Sequence, residues 1–216
     1  MNNVEILHAA LSAFCSTDLS RPILHRPYYY NGAYYATDGR SCIKIPANGF
    51  HNPKVAVAAD EKSIGICKAI DEFVTAYADC TLENQPQDHI VKRAAYLALQ
   101  NAREAEREDP DEEGTDDLDI RIRSTSLVRF PCGHIRAFEL LRTISALEMI
   151  EHWGTVINLY FSRRDKNDGY GIVIVSGDVK ICTMAVRGDD NDFVADFSYS
   201  ITDAMTGMFI KKREAK

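Results

Sequence analysis

Two dipeptides constrain this chain more than anything else in it. Asn31-Gly32 and Asp38-Gly39 each stand between runs of aromatic, β-branched or alternating residues. A tight hairpin turn of the I′ type needs positive φ at both central residues, a conformation that Asn and Gly adopt at little cost. Tyr28–Asn31, Ala33–Thr37 and Arg40–Pro46 are therefore predicted as three consecutive strands. In the last of them Cys42 and Lys44 alternate with Ile43 and Ile45. Upstream, Val4, Leu7, Leu11 and Phe14 recur at helical spacing and predict a helix over 3–15. Asn2 or Asn3 can cap it, and Pro22 and Pro27 prevent its continuation. The first 46 residues read as helix, strand, strand, strand.

The same order returns near the other end. Leu140, Leu141, Ile144 and Leu147 predict a helix over 136–150. Strands follow at Thr155–Ser162, Tyr170–Ser176 and Val179–Val186, with turns at Asp165–Gly169 and Gly177-Asp178. Laid together, residues 33–45 fall on 171–183, an offset of 138, and Gly39 then coincides with Gly177. The letters differ while the pattern repeats. Between the copies, Ile66, Ile70, Phe73 and Tyr77 predict a helix over 60–80. A second helix over 87–107 carries an alanine-rich face, with Ile90, Ala94, Leu97 and Ala98 inward, suited to close packing on the preceding helix. Strand character resumes at Leu118 and includes Ile120, Ile122, Leu127, Val128 and Phe130. A last strand is expected at Phe193–Ser200.

Charge is unevenly spread. The chain holds 25 basic and 32 acidic residues, a net of −7. Residues 104–119, EAEREDPDEEGTDDLD, hold ten acids and one arginine, so the remainder carries 24 basic and 22 acidic groups, a net of +2. The acidity belongs to one segment, read as a solvated loop, and does not exclude a nucleic-acid partner.

The stretch RPILHRPYYYNGAYYATDGRSCIKIP at 21–46, behind the helix VEILHAALSAF, resembles the sliding clamps of DNA replication, in particular the bacterial β-clamp type. Their repeating unit is a strand, a helix and three strands. Arg21-Pro22-Ile23-Leu24 and Ala36-Thr37-Asp38-Gly39 stand where that family has similar short motifs. SLVRFPCGHIRAFELLRTISAL, followed by INLYFSR, YGIVIVSGD and VKICTMAV, is similar in order. The resemblance implies an α+β fold: one DNA-clamp-like domain over 1–216 built from two helix-plus-three-strand units. The first unit covers about 1–58, a helical insertion and acidic loop about 59–118, and the second unit about 119–210. It implies a non-enzymatic binding module of DNA replication or of mobile-element or phage DNA metabolism. The expected partner is DNA or a DNA-replication protein, with self-association into a homo-oligomer left open. One such domain cannot close a ring as a whole clamp subunit does. In that family the helices carry cations toward DNA, whereas here the first offers Glu5 and His8.

The candidate DNA-binding residues are Arg121, Arg123, Arg136, Arg142, Arg163 and Arg164. Arg121 and Arg123, two apart, share one side of a strand and can reach phosphates. The alternative reading is an acidic interaction factor whose residues 104–119 mimic a phosphate backbone. A third reading is a hydrolase using Cys132 and His134. Against enzymes, the sequence has no GxSxG, P-loop, GxGxxG or HExxH motif. Six scattered cysteines form no CxxC pair, so no metal or cofactor is expected. Tyr28, Tyr29, Tyr30, Tyr34 and Tyr35 suggest a base-stacking platform or, more simply, strand core. No Lys or Arg precedes the first apolar stretch and no apolar run is long enough to span a bilayer. The expectation is a cytoplasmic protein with no membrane partner.

Overall fold

The computed structural model describes residues 2–49, 51–75, 88–108, 126–130, 133–150, 157–162, 171–184 and 193–196. The fold is α+β, with a seven-stranded sheet, a three-stranded sheet and helices packed on them. The chain divides into two compact units, Met1–Gln85 with Arg142–Met184, and Pro86–Leu141 with Ala185–Lys216. This partition differs from the single domain with a central insertion drawn from the sequence.

The first unit opens with α1 (Asn3–Ser12). Asn2 and Glu5 form a reciprocal cap, each side chain accepting from the other's backbone N–H at 2.9 and 3.0 Å. A 3-10 turn at Pro22–Leu24 leads into β1 (Tyr28–Tyr30), β2 (Ala33–Thr37) and β3 (Ser41–Pro46). Asn31 and Gly32 adopt φ of 45° and 78°, as the tight turn between β1 and β2 demands. At the next turn Gly39 has φ of 89°, and Asp38 Oδ1 accepts from the N–H groups of Arg40 and Ser41, both at 2.8 Å. A short strand, β4 (Val57–Ala58), lies parallel to β1. Then comes α2 (Glu61–Thr75), capped by Asp60 and Ser63 in the same reciprocal manner.

The second half of this unit is α4, which runs Ala137–Met149 and enters the unit at Arg142, then β7 (Ile157–Ser162), β8 (Gly171–Ser176) and β9 (Val179–Met184). The sheet order is β4-β1-β2-β3-β9-β8-β7, so two antiparallel meanders meet at β3 and β9.

The repeat seen in the sequence is present in the register. Moved by 138 residues, Ala33–Pro46 becomes Gly171–Met184 and Tyr34–Ile45 becomes Ile172–Thr183, each an observed pair. Gly177 repeats the positive φ of Gly39. Where β3 meets β9, the pairs Cys42–Cys182 and Lys44–Lys180 flank Ile43–Ile181. Residues 43 and 181 are themselves related by that offset, so a local twofold axis passes through the Ile43–Ile181 pair. Tyr28, which pairs with Tyr35, has Tyr160 as its counterpart opposite Val173.

Strand alternation divides the buried side chains between two faces. On one, Tyr28, Ala33, Tyr35, Cys42, Val173 and Cys182 pack with Cys67, Ile70 and Val74 of α2. By alternation Tyr34, Ala36, Ile43, Ile45, Ile174 and Ile181 point the other way, where α1 contacts β2. Leu11, Phe14, Ile43 and Ile181 are fully buried. Each contributes about 1.5–3 kcal/mol by leaving water.

The second unit holds α3 (Asp88–Glu108), β5 (Ser126–Phe130), β6 (Gly133–Arg136) and β10 (Phe193–Asp196). Its sheet runs β10-β5-β6, with β10 parallel to β5 and β6 antiparallel to it. The alanine face of α3, Ala94, Ala95, Ala98 and Ala102, is buried, and the helix packs on β5 and β10. The sequence reading set this face against the preceding helix. Small side chains permit close approach to either kind of surface, and the pattern alone does not say which. Residues 131–132 and 109–125 lie outside the described part. The first five residues of the acidic segment, 104–108, end α3, where the sequence reading had a loop, and the rest of that segment falls within 109–125.

The two glycine environments predict opposite effects of one substitution. A Cβ at Gly39 would sit at positive φ and 3.1 Å from Arg21 Nη1, while Gly65 lies in α2 with nothing within 4 Å. Gly39→Ala is expected to destabilise by about 1–2 kcal/mol and Gly65→Ala to stabilise by about 0.5–1 kcal/mol. Urea midpoints at unchanged m-value check both.

Candidate functional site

The end of α1 and the middle of α4 meet around one aromatic ring. Just past α1, the Phe14 ring lies 5.0 Å beneath the Arg142 guanidinium of α4. Arg142 Nη1 donates to Asp38 Oδ2 at 2.6 Å, with both side chains mostly buried at 13% and 16% exposure. Asp38 thus uses one oxygen to close the β2–β3 turn and the other to hold α4. Arg142 of α4 meets Phe14, just past the C-terminal end of α1.

Cys15 borders the same cluster. Burial, reinforced by the Asp38 charge and opposed by Arg142, pushes its thiol up to about 12. It is a protonated packing group, without the electropositive setting that activates a nucleophile.

The outward residues of these helices are sparse in charge. On α1 Asn3, Glu5 and His8 are exposed, and on α4 Ser145, Glu148 and Met149. Neither helix presents an exposed lysine or arginine. Phosphate neutralisation by such cations supplies nonspecific DNA affinity, so this face has little of it to offer.

On the α2 side, Asp71 gathers two groups from the sheet. Tyr35 donates its hydroxyl to both carboxylate oxygens at 3.1 Å, and Lys44 Nζ pairs with Oδ1. Burial, then the Asp71 charge, raises the Tyr35 hydroxyl well above its ordinary range. Lys180 stands directly across from Lys44 on β9. Nothing short-range in the sequence pointed to Asp71, because its partners lie on another element.

Of the six candidate arginines, Arg121, Arg123, Arg163 and Arg164 lie outside the described residues. Arg136 ends β6 in the second unit and is half-buried, its buried Nε lacking a hydrogen-bond partner among the described residues. Arg142 is turned inward to Asp38 and Phe14.

The tyrosine run is chiefly core. Tyr28, Tyr34 and Tyr35 are buried, and Tyr28 donates its hydroxyl to the Ile23 carbonyl at 2.6 Å. Tyr29 is half-buried and stacks on His51, with centroids 4.5 Å apart. His134 lies on β6, whereas Cys132 is outside the described part. Among the described residues no group of three His, Cys, Asp or Glu is arranged to hold a metal, and no helix is long and apolar enough to cross a membrane.

No family model, curated protein or solved structure matches the chain.

The inward placement of Arg142 predicts strong coupling to Asp38. Asp38→Asn and Arg142→Met each strand one member of a mostly buried pair and should cost about 3 kcal/mol. The double variant should recover about 1–3 kcal/mol of the summed loss in a thermodynamic cycle. Additive losses in urea unfolding would contradict the pairing.

Proposed function

We propose that the chain is a non-enzymatic, clamp-like binding module of DNA replication or mobile-element DNA metabolism, acting chiefly through a replication protein. One observation carries the reading. Two helix-plus-three-strand repeats keep one register offset over their second and third strands and meet on a local twofold axis at β3 and β9. That is the arrangement expected of two clamp units joined into one domain.

The choice of a protein over DNA rests on the helical face. In the family that this sequence resembles, the helices present cations to DNA. Here Arg142 is spent on Asp38, and the exposed positions are Asn, Ser, His, Met and Glu. A neutral to acidic surface suits a protein partner with basic or polar complement. The DNA reading keeps its claim through Arg121, Arg123, Arg163 and Arg164.

The test uses the full chain against purified replicative polymerase, clamp-loader and clamp subunits, and against duplex DNA. The expected outcome is binding to a replication protein at about 1 µM or tighter. Affinity for duplex DNA should be weak and fall with salt at a log–log slope of about −2 or shallower. The double variant Ser145→Lys/Glu148→Lys should weaken the protein complex and strengthen DNA binding. A slope near −5 with no protein bound would transfer the function to DNA. Absence of both would sink the proposal.

A further inference from the structure

The local twofold axis sets two thiols against each other. Cys42 on β3 and Cys182 on β9 are direct cross-strand partners beside the Ile43–Ile181 pair. Both point to the α2 face and belong to one buried cluster, with Cys67 of α2 in the same cluster. The Cys42 thiol is hydrogen bonded to Cys182. All three are free thiols in this structure.

We infer that Cys42 and Cys182 form a redox-modification site, oxidised to a reversible disulfide that staples the two repeats together across their shared axis. The inference stands on the register and does not depend on the clamp reading.

The backbone says what kind of disulfide this would be. The Met184 N–H donates to the Arg40 carbonyl at 2.9 Å, so residues 40 and 184 form a hydrogen-bonded pair. Pairs alternate along an antiparallel ladder, which makes 42 and 182 a hydrogen-bonded pair as well. In such a pair the Cα atoms stand about 5.5 Å apart, inside the range a disulfide spans. Side chains in a hydrogen-bonded pair diverge more than in the alternate kind, so the bond carries strain. A strained disulfide has a more oxidising potential and is reduced readily. This is the profile of a switch and not of a permanent staple.

The oxidant required is a small-molecule disulfide. One deprotonated thiol attacks it and forms a mixed disulfide, expelling one thiolate. The second protein thiolate attacks the protein-side sulfur, expelling the other. One Sγ–Sγ bond forms, the oxidant's S–S bond breaks, and the two thiol protons pass to the released thiolates. The protein pair is oxidised by two electrons and the oxidant reduced to two thiols.

Access is controlled by α2, which covers the pair. The thiol–thiol hydrogen bond, and then burial, hold Cys42 well above its ordinary range, and burial pushes Cys67 to about 12. Few thiolates exist while α2 is seated. Asp71 fixes α2 to the sheet through Tyr35 and Lys44. Loosening that anchor should admit the oxidant.

The experiment incubates the full chain with oxidised and reduced glutathione at stepped ratios, traps thiols by alkylation, and maps peptides by mass spectrometry without reduction. A peptide pair joining Cys42 to Cys182, lighter by two hydrogens and released by dithiothreitol, is expected. Asp71→Asn should speed its formation severalfold, and Cys182→Ser should abolish it. The wild-type cross-link needs no variant, so a poorly folding Cys182→Ser leaves the test intact. A Cys42–Cys67 link, glutathione adducts alone, or both thiols still reduced at the most oxidising ratio would overturn the inference.

Discussion

The pairing of β3 with β9 is the contact on which the first unit depends. It is the one junction between its two meanders, and every other strand pair in the seven-stranded sheet lies on one side or the other. Its centre, Ile43 opposite Ile181, is fully buried. A one-residue slip of β9 against β3 would turn Ile181 to the α2 face and drive Lys180 to the opposite one. Hydrophobic alternation therefore specifies the register strongly. The same register aligns the repeats, opposes the two thiols and brings the turn at Asp38 to where Arg142 can reach it.

Charge placement follows from that geometry. Asp38 and Asp71 each do two things: one closes a turn and holds α4, the other holds a tyrosine and a lysine beneath α2. Ion pairs of this partly buried kind add modest net stability but penalise the wrong arrangement heavily, because a stranded charge is costly. They pin helices to the sheet on both faces. The exposed positions of α1 and α4 carry no lysine or arginine.

Much of the first unit was legible in the sequence, for identifiable reasons. Asn31-Gly32 and Asp38-Gly39 announce their turns because few residues tolerate positive φ. The repeat was visible because strand alternation and Gly39/Gly177 survive where identity does not. What could not be read was anything that depends on partners distant in sequence. Arg142 meets Asp38 from 104 residues away, and its spacing on the helix gives no hint of an inward turn. The small sheet of β10, β5 and β6 was likewise hidden, since strand propensity at 126–136 does not say which sheet a strand joins. One signal was available and unused. If the repeats are related by a twofold axis, some residue of β3 must face the one 138 positions on, which narrows the pairing to a few registers; the structure takes the one with Ile43 opposite Ile181 and so Cys42 opposite Cys182.

The central claim is the dyad at β3 and β9, and proton NMR tests it most directly. Residues 41 and 183, and 43 and 181, are the non-hydrogen-bonded pairs, in which facing Hα atoms approach most closely. The account predicts strong Hα–Hα cross-peaks between Ile43 and Ile181 and between Ser41 and Thr183. Cross-peaks from Ile43 Hα to a neighbour one residue away, or to any strand other than β9, would contradict it.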